Sequence, residues 1–251
     1  MSDIKVIVTN SNLPTSADFR TGLLMLVDKP KGWTSFDVVN KLRYKVRHRH
    51  GTKKFKVGHA GTLDPMATGL LLIAIGKYTK LIEQLQGLGK SYAATIKLGA
   101  TTPSYDAEEA EDAQYPTAHI TPQLAESTLE QYRGDIMQAP PMFSALKVDG
   151  VRLYKKARKG QTVEIAKRPV TISELTLNRF ELPEMDITCS VSKGTYIRSL
   201  AHDIGRSLDS GGYLTALRRT TVADYSVQQA LTVEEAVQWI EHVELSGVSL
   251  V

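Results

Sequence analysis

The sequence predicts an α+β fold built on a mixed, mainly antiparallel sheet flanked by helices. Three observations lead there. Apolar or alternating runs of strand length recur at residues 22–27, 70–75, 91–98, 170–180, 185–191 and 213–222. Helical spacing appears between some of them but not all, and this argues against a doubly wound parallel sheet. Hydrophobic residues make up 42% of 251, enough to bury a sizeable core.

Each element has a local cause. Residues 1–20 are polar, mixed and without period, so a loosely ordered segment is expected before a single domain over residues 21–251. Gly22-Leu-Leu-Met-Leu-Val27 reads as a buried strand, and Asp28-Lys-Pro-Lys-Gly32 as a turn. Thr34 or Ser35 can cap a helix over 36–46 with Phe36, Val39, Leu42 and Val46 on its apolar side. Arg47-His-Arg-His-Gly51 follows as a basic loop. Residues 70–75 form an interior strand, and residues 77–88 an amphipathic helix closed by Gly87 and Gly89. The strand over 91–98 turns Tyr92, Ala94, Ile96 and Leu98 to one side. The acidic stretch around Asp106 is a loop. Thr121-Pro122 opens a helix that Gly134 ends.

Further along, Lys147-Val-Asp-Gly-Val-Arg152 carries the Asp-Gly signature of a hairpin, and a short basic helix over 153–159 follows it. Residues 170–180 and 185–191 pair as strands. A helix over 196–208 presents Ile197, Leu200, Ala201 and Ile204. A strand over 213–222 and a helix over 233–243 complete the order.

Composition excludes several function classes. No apolar run approaches the roughly 20 residues of a membrane helix. The N-terminus lacks an export pattern. Cys189 is the only cysteine, so neither an internal disulfide nor a cysteine zinc cluster is available, and a cytoplasmic location is expected. No histidine pair has metal-ligand spacing, and no dinucleotide or phosphate-loop glycine pattern occurs.

The net charge is only +4, yet it is unevenly placed. Ten basic residues lie between Lys29 and Lys56, opposed only by Asp37 and the adjoining Asp28. A second block runs from Lys147 to Arg168. Such blocks on a near-balanced chain point to a polyanion-binding face, or to ordinary solvated surface.

Chemistry concentrates in Lys56-Val-Gly-His-Ala-Gly-Thr-Leu-Asp-Pro-Met-Ala-Thr-Gly69. Asp64 is the only carboxylate between Asp37 and Glu83. Pro65 fixes its own φ and pushes Asp64 toward an extended conformation, while the glycines allow another backbone to come close. Asp64 is then either a cap for the following segment or an acid held on a rigid turn for catalysis.

That stretch, with Asp28-Lys-Pro-Lys-Gly-Trp-Thr-Ser35, resembles the TruB family of bacterial tRNA pseudouridine-55 synthases. Lys90-Ser-Tyr92, Pro141-Met-Phe-Ser-Ala-Leu-Lys147, Ser192-Lys-Gly-Thr-Tyr-Ile-Arg198 and Leu217-Arg-Arg219 stand in the family's order, so the resemblance runs from about Gly22 to Tyr225. It implies the pseudouridine synthase fold and isomerisation of uridine 55 to pseudouridine in the TΨC loop of tRNA, with no metal or redox cofactor. Asp64 matches the essential aspartate; whether it adds to the sugar, adds to the base or takes a sugar proton stays open. Tyr92 matches the tyrosine that stacks on the displaced base, and Arg198 the arginine that pairs with the catalytic carboxylate. Tyr196 and Leu217 match walls of the uracil pocket. His59 matches a contact to the RNA loop, and Lys80 a basic residue near the site.

The resemblance also implies that the base is flipped out of the loop, at a cost of about a few kcal/mol. It implies a tRNA stem-loop as partner, and residues 140–168 as a basic hairpin–helix clamp over the RNA. The loop Thr102-Pro-Ser-Tyr-Asp-Ala-Glu-Glu108 departs from the family wording, which weakens any RNA contact assigned to it. About thirty residues follow Thr220, too few for the C-terminal PUA domain of many relatives, and a monomer is expected. Two rivals are a sister synthase for another RNA site and a non-catalytic RNA-binding protein.

Overall fold

In the computed structural model all residues are described except 1–3, 5, 145, 149, 158, 162 and 247–251. The turn residue Asp149 and the basic-block residue Arg158 therefore lie outside the described residues. The chain forms two compact units: residues 1–90 with 218–251, and residues 91–217.

In the first unit, the strand Leu23–Lys29 pairs antiparallel with Thr68–Ile75, Leu26 opposite Leu72. Val57–Ala60 pairs antiparallel with Thr68–Ile75 as well. Arg218 and Arg219 lie parallel beside Thr68 and Gly69. Both faces of this sheet are covered. Leu23, Met25, Val27, Leu71 and Ile73 join one cluster, together with residues of the helices Ser35–Arg49 and Val233–His242. Leu24, Leu26, Leu70 and Leu72 join another, with Leu85 from the helix Ile82–Gln86. Two buried faces explain why these strands are apolar without interruption.

The helix Ser35–Arg49 begins at a capping box. The Thr34 hydroxyl accepts from the Asp37 N–H, and the Asp37 carboxylate accepts from the Thr34 N–H. Two expectations for this helix need correction. It runs through Arg49, so most of the anticipated basic loop is its last turn, where cations suit the helix dipole. Phe36 is 58% exposed, and Val38 occupies the buried face with Val39, Leu42 and Val46.

The segment before residue 21 is also more ordered than its composition suggests. Ile7–Val8 pairs parallel with Leu24 and Met25, and Phe19 is fully buried against Trp239 and His50. The expected single helix over 77–88 is a 3₁₀ segment, Gly76–Leu81, followed by Ile82–Gln86.

In the second unit, Arg168–Glu181 pairs antiparallel with Glu184–Val191 and with Gly134–Gln138. Met185, Ile187, Cys189 and Val191 are buried on one face. The helices Pro122–Glu130 and Ile197–Ser207 present Ala125, Leu129, Leu200, Ala201 and Ile204 as buried residues. The expected hairpin is present as Lys147–Val148 against Val151–Arg152, with the helix Leu153–Ala157 after it. The anticipated mixed, mainly antiparallel sheet is thus observed. Among the described residues no helix is long and apolar enough to cross a membrane.

Gly69 sets one close approach in this fold. Its φ is +104°, and a Cβ there would lie 2.2 Å from the Arg219 carbonyl oxygen. Gly69→Ala should lower unfolding free energy by about 2 kcal/mol or more, read from urea denaturation. A change within about 0.5 kcal/mol would show that the two backbones separate freely there.

Candidate active site

The loop that carries Asp64 is held by three side chains of its own unit. Ser35 is buried at the first turn of its helix. Its hydroxyl accepts from the Leu63 N–H at 2.8 Å and donates to the Leu63 carbonyl at 3.1 Å. Lys29, with no exposed surface, ends the strand Leu23–Lys29. Its ammonium donates to the carbonyls of Pro30, Trp33 and Pro65 at 2.9, 2.6 and 3.4 Å. The Gly32 N–H donates to the same Pro65 carbonyl at 2.8 Å.

Arg219 is 1% exposed. It donates to the carbonyls of Leu70 at 2.6 Å and Gly61 at 3.1 Å, with a longer contact of 3.5 Å to Thr62. Gly61, at φ +96°, lies directly against the Arg219 guanidinium and the Lys90 side chain. The carbonyls on both sides of Asp64 are thus fixed by buried cations, while Asp64 itself is half-buried. Its carbonyl accepts from the Ala67 N–H, closing a turn over Pro65. Leu63, Met66 and Ala67 around it are buried.

Cations also gather beside this loop. Lys90 donates to the carbonyls of Leu88 at 2.6 Å and Gln86 at 3.1 Å. Burial, with Arg219 close by, pushes its pKa down to about 8. His59 sits on Val57–Ala60, opposite Ile73. Burial lowers its pKa, against a hydrogen bond with the Gly61 backbone that raises it, and Arg219 lowers it further. Its Nδ1 is buried without a hydrogen-bond partner among the described residues. Lys80 lies apart from these groups, exposed on the 3₁₀ segment, where it lines a separate hollow with Arg20, Lys54, Lys56 and Lys77.

The remaining expected site residues belong to the second unit. Tyr92 is 8% exposed on the strand Lys90–Leu98, and Leu217 is buried on Gly212–Val222. Tyr196 is the N-cap residue of the helix Ile197–Ser207. The Gln138 side chain clamps its backbone: Oε1 accepts from the Tyr196 N–H at 2.8 Å, and Nε2 donates to its carbonyl at 3.1 Å. Arg198 is the second residue of that helix and is buried, not on a solvent face. Its Nε is 3.5 Å from the carboxylate of Asp106, itself 1% exposed. Its other nitrogens donate to the carbonyls of Ser104 and Phe143.

Sequence reasoning therefore missed Lys29, Ser35, Arg219, Gln138 and Asp106 as supports. The one usable signal was a Lys and a double Arg inside otherwise apolar strand patterns. Asp106 was hidden within an acidic loop. Among the described residues no group of three or more His, Cys, Asp or Glu is placed to hold a metal ion.

Two family domains match the chain. The TruB family pseudouridylate synthase N-terminal domain matches residues 47–197, and the tRNA pseudouridylate synthase B C-terminal domain matches residues 198–245. Proteins named tRNA pseudouridine synthase B from Flavobacterium johnsoniae and Phocaeicola vulgatus are 52% and 51% identical. The matches span 89% and 92% of this chain and 100% and 98% of theirs. A chain from a Cbf5–Nop10–Gar1 complex shares the fold, with a TM-score of 0.68 at 24% identity. That match covers 94% of this chain and 61% of the other. Fold and matched domains together define a pseudouridine synthase, an isomerase of uridine in RNA. The chain belongs to the TruB family.

The sign of the Lys90 shift gives a test. Between about pH 8 and the ordinary value of 10.5, the folded chain releases this proton before the unfolded chain does. The unfolded state then binds more protons, so stability rises with pH across that window. Urea midpoints of the native chain should climb from pH 8 to 10.5 relative to those of Lys90→Met. Parallel curves would show that Lys90 has the same affinity for its proton in both states.

Proposed function

We propose that this chain isomerises uridine 55 to pseudouridine in tRNA. It would work in the cytoplasm as a monomer, with residues 21–251 acting as one catalytic domain and the T stem-loop as the part of tRNA it grips. The observation that carries the reading is Asp64: a half-buried carboxylate on a turn pinned from both sides, in a chain about half identical to proteins named tRNA pseudouridine synthase B.

The reaction needs few parts. The bond from N1 of uracil to ribose C1′ breaks, the base turns, and C5 bonds to C1′. The proton lost at C5 is balanced by one gained at N1, so nothing is oxidised and neither metal nor redox cofactor is called for. Asp64 acts on the nucleoside as nucleophile or as the anion that stabilises charge developing on the sugar. Tyr92 offers a ring for the extruded base and a hydroxyl for proton transfer. Tyr196 and Leu217 wall the uracil. Arg198 keeps the catalytic carboxylate ionised, and His59 meets the RNA loop beside the flipped nucleotide. The hairpin and helix within residues 140–168 close over the RNA. In this reading the fixed loop spends no binding energy on ordering its own carboxylate.

Tritium release from tRNA labelled at uracil C5 tests the assignment. Native protein should release one tritium per tRNA and place pseudouridine at position 55. Asp64→Asn should be slower by at least about 100-fold, with tRNA affinity unchanged within about threefold. Full release by the variant, or pseudouridine only at another site, would overturn the reading.

A further inference from the structure

Arg198 meets two groups of one loop of the second unit. Its Nη1 donates to the Ser104 carbonyl at 3.1 Å, and its Nε lies 3.5 Å from the Asp106 carboxylate. Tyr105 stands between those two residues, so its backbone sets the angle between the two acceptors. Its φ is +63°, in the left-handed region that a Cβ disfavours. The Tyr105 N–H donates to the Thr102 carbonyl at 3.2 Å, closing a turn over Pro103 and Ser104. A left-handed residue at the end of such a turn is ordinarily glycine or asparagine. An aromatic residue there goes against local preference, so a contact outside the loop must hold it.

That contact comes from the helix Ile197–Ser207. The Tyr105 ring stacks on His202, with centroids 3.9 Å apart and planes at 13°. Both residues are half-buried. His202 Nδ1 is buried with no hydrogen-bond partner among the described residues, so that atom adds nothing to the hold on the ring. His202 follows Arg198 by four residues, and side chains at that spacing lie on one face of a helix, a turn apart. The dipeptide Tyr105-Asp106 therefore spans one helical turn, with its ring on His202 and its carboxylate toward Arg198. Other bonds fix the loop locally. The Asp106 carboxylate accepts from the Ser104 hydroxyl at 2.6 Å and the Glu108 N–H at 3.0 Å, and the Tyr105 carbonyl accepts from the Leu214 N–H at 3.1 Å. The stack joins the loop to the helix at a second point, one turn beyond Arg198.

We propose that Tyr105, through its stack on His202, is a positioning residue for Arg198: it holds the Ser104 carbonyl and the Asp106 carboxylate where the guanidinium needs them. The proposal rests on the functional reading above, in which Arg198 keeps the catalytic carboxylate ionised. In that scheme Tyr105 meets neither base nor sugar. Without the stack, residue 105 relaxes to negative φ and the two acceptors swing apart. Arg198 then loses its aim, and the effect falls on rate and not on tRNA affinity.

The test compares Tyr105→Phe, Tyr105→Gly and Tyr105→Ala in the full chain. Phenylalanine keeps the ring. Glycine loses the ring but takes positive φ without strain, and alanine loses the ring while keeping a Cβ. In single turnovers at saturating tRNA, Tyr105→Phe should run within about twofold of the native rate, Tyr105→Gly within about fourfold, and Tyr105→Ala at least about tenfold slower. All should bind tRNA within about twofold of native affinity. Lost packing alone would make glycine the worst of the three, so the order separates positioning from bulk. His202→Ala should match Tyr105→Ala, and the double variant should be no slower than either. A crystal structure of Tyr105→Ala supplies a readout independent of activity: the Asp106 carboxylate should stand beyond about 4 Å from Arg198 Nε. A native rate in Tyr105→Ala, a slower rate for glycine than for alanine, an unmoved Asp106, or a loss of tRNA affinity as large as the loss of rate would each overturn the proposal. Failure of the native chain to make pseudouridine would strike the functional reading, and the crystal structure would still decide whether the stack holds Asp106 on Arg198.

Discussion

Two buried cations discharge into the backbone around Asp64, and the rest of the site depends on that arrangement. A buried ammonium or guanidinium is costly unless its donors are satisfied. Lys29 and Arg219 meet this requirement with carbonyl oxygens of the loop and its neighbours: Pro30, Trp33 and Pro65 for one, Gly61 and Leu70 for the other. Satisfying them fixes the path of the chain before and after the acid. Ser35 adds a donor and an acceptor to Leu63, the residue next to it. The loop cannot relax without stranding charge or carbonyls in a dry interior, and that is what preorganisation requires in physical terms.

The same frame explains why glycine stands where it does. Gly69 lets the Arg219 backbone approach the start of the strand Thr68–Ile75, and this approach aims the guanidinium at Gly61 and Leu70. In the second unit the logic repeats with different groups. Gln138 clasps the Tyr196 backbone, and Asp106 meets Arg198 in a nearly dry setting. In each case a side chain given a role in the proposed function is steadied by a polar group to which that proposal gives none.

Much of the fold was legible in the residues. The uninterrupted apolar runs at 22–27 and 70–75 announced buried strands, and Thr34 or Ser35 announced a helix start. The Asp149-Gly150 dipeptide announced the hairpin. Periodicity failed where tertiary packing overrode it. Phe36 fits the apolar stripe of its helix yet faces outward, and Phe19 lies in a polar stretch yet is fully buried. The residues expected to carry chemistry were picked out only through motif resemblance, while the groups that hold them in the structure were not picked out at all. Arg219 meets Leu70 and Gly61 across 149 and 158 residues, and its partners are backbone carbonyls. A carbonyl carries no residue signature, so no pattern of side chains marks such a contact in advance.

The charge pattern completes the picture. Between residues 38 and 82 a single carboxylate sits among many cations. Lys29 and Arg219, from outside that stretch, turn inward and hold the loop; several cations within it stay outside and face concave surface without acidic partners. The central claim is that the inward ones set catalytic geometry and not merely stability. Arg219→Lys keeps the charge but cannot reach all the carbonyls at once. Single-turnover isomerisation by folded Arg219→Lys, at saturating tRNA, is the direct test. The account predicts a rate lower by at least about tenfold with tRNA affinity unchanged within about twofold. A native rate in that variant would contradict it.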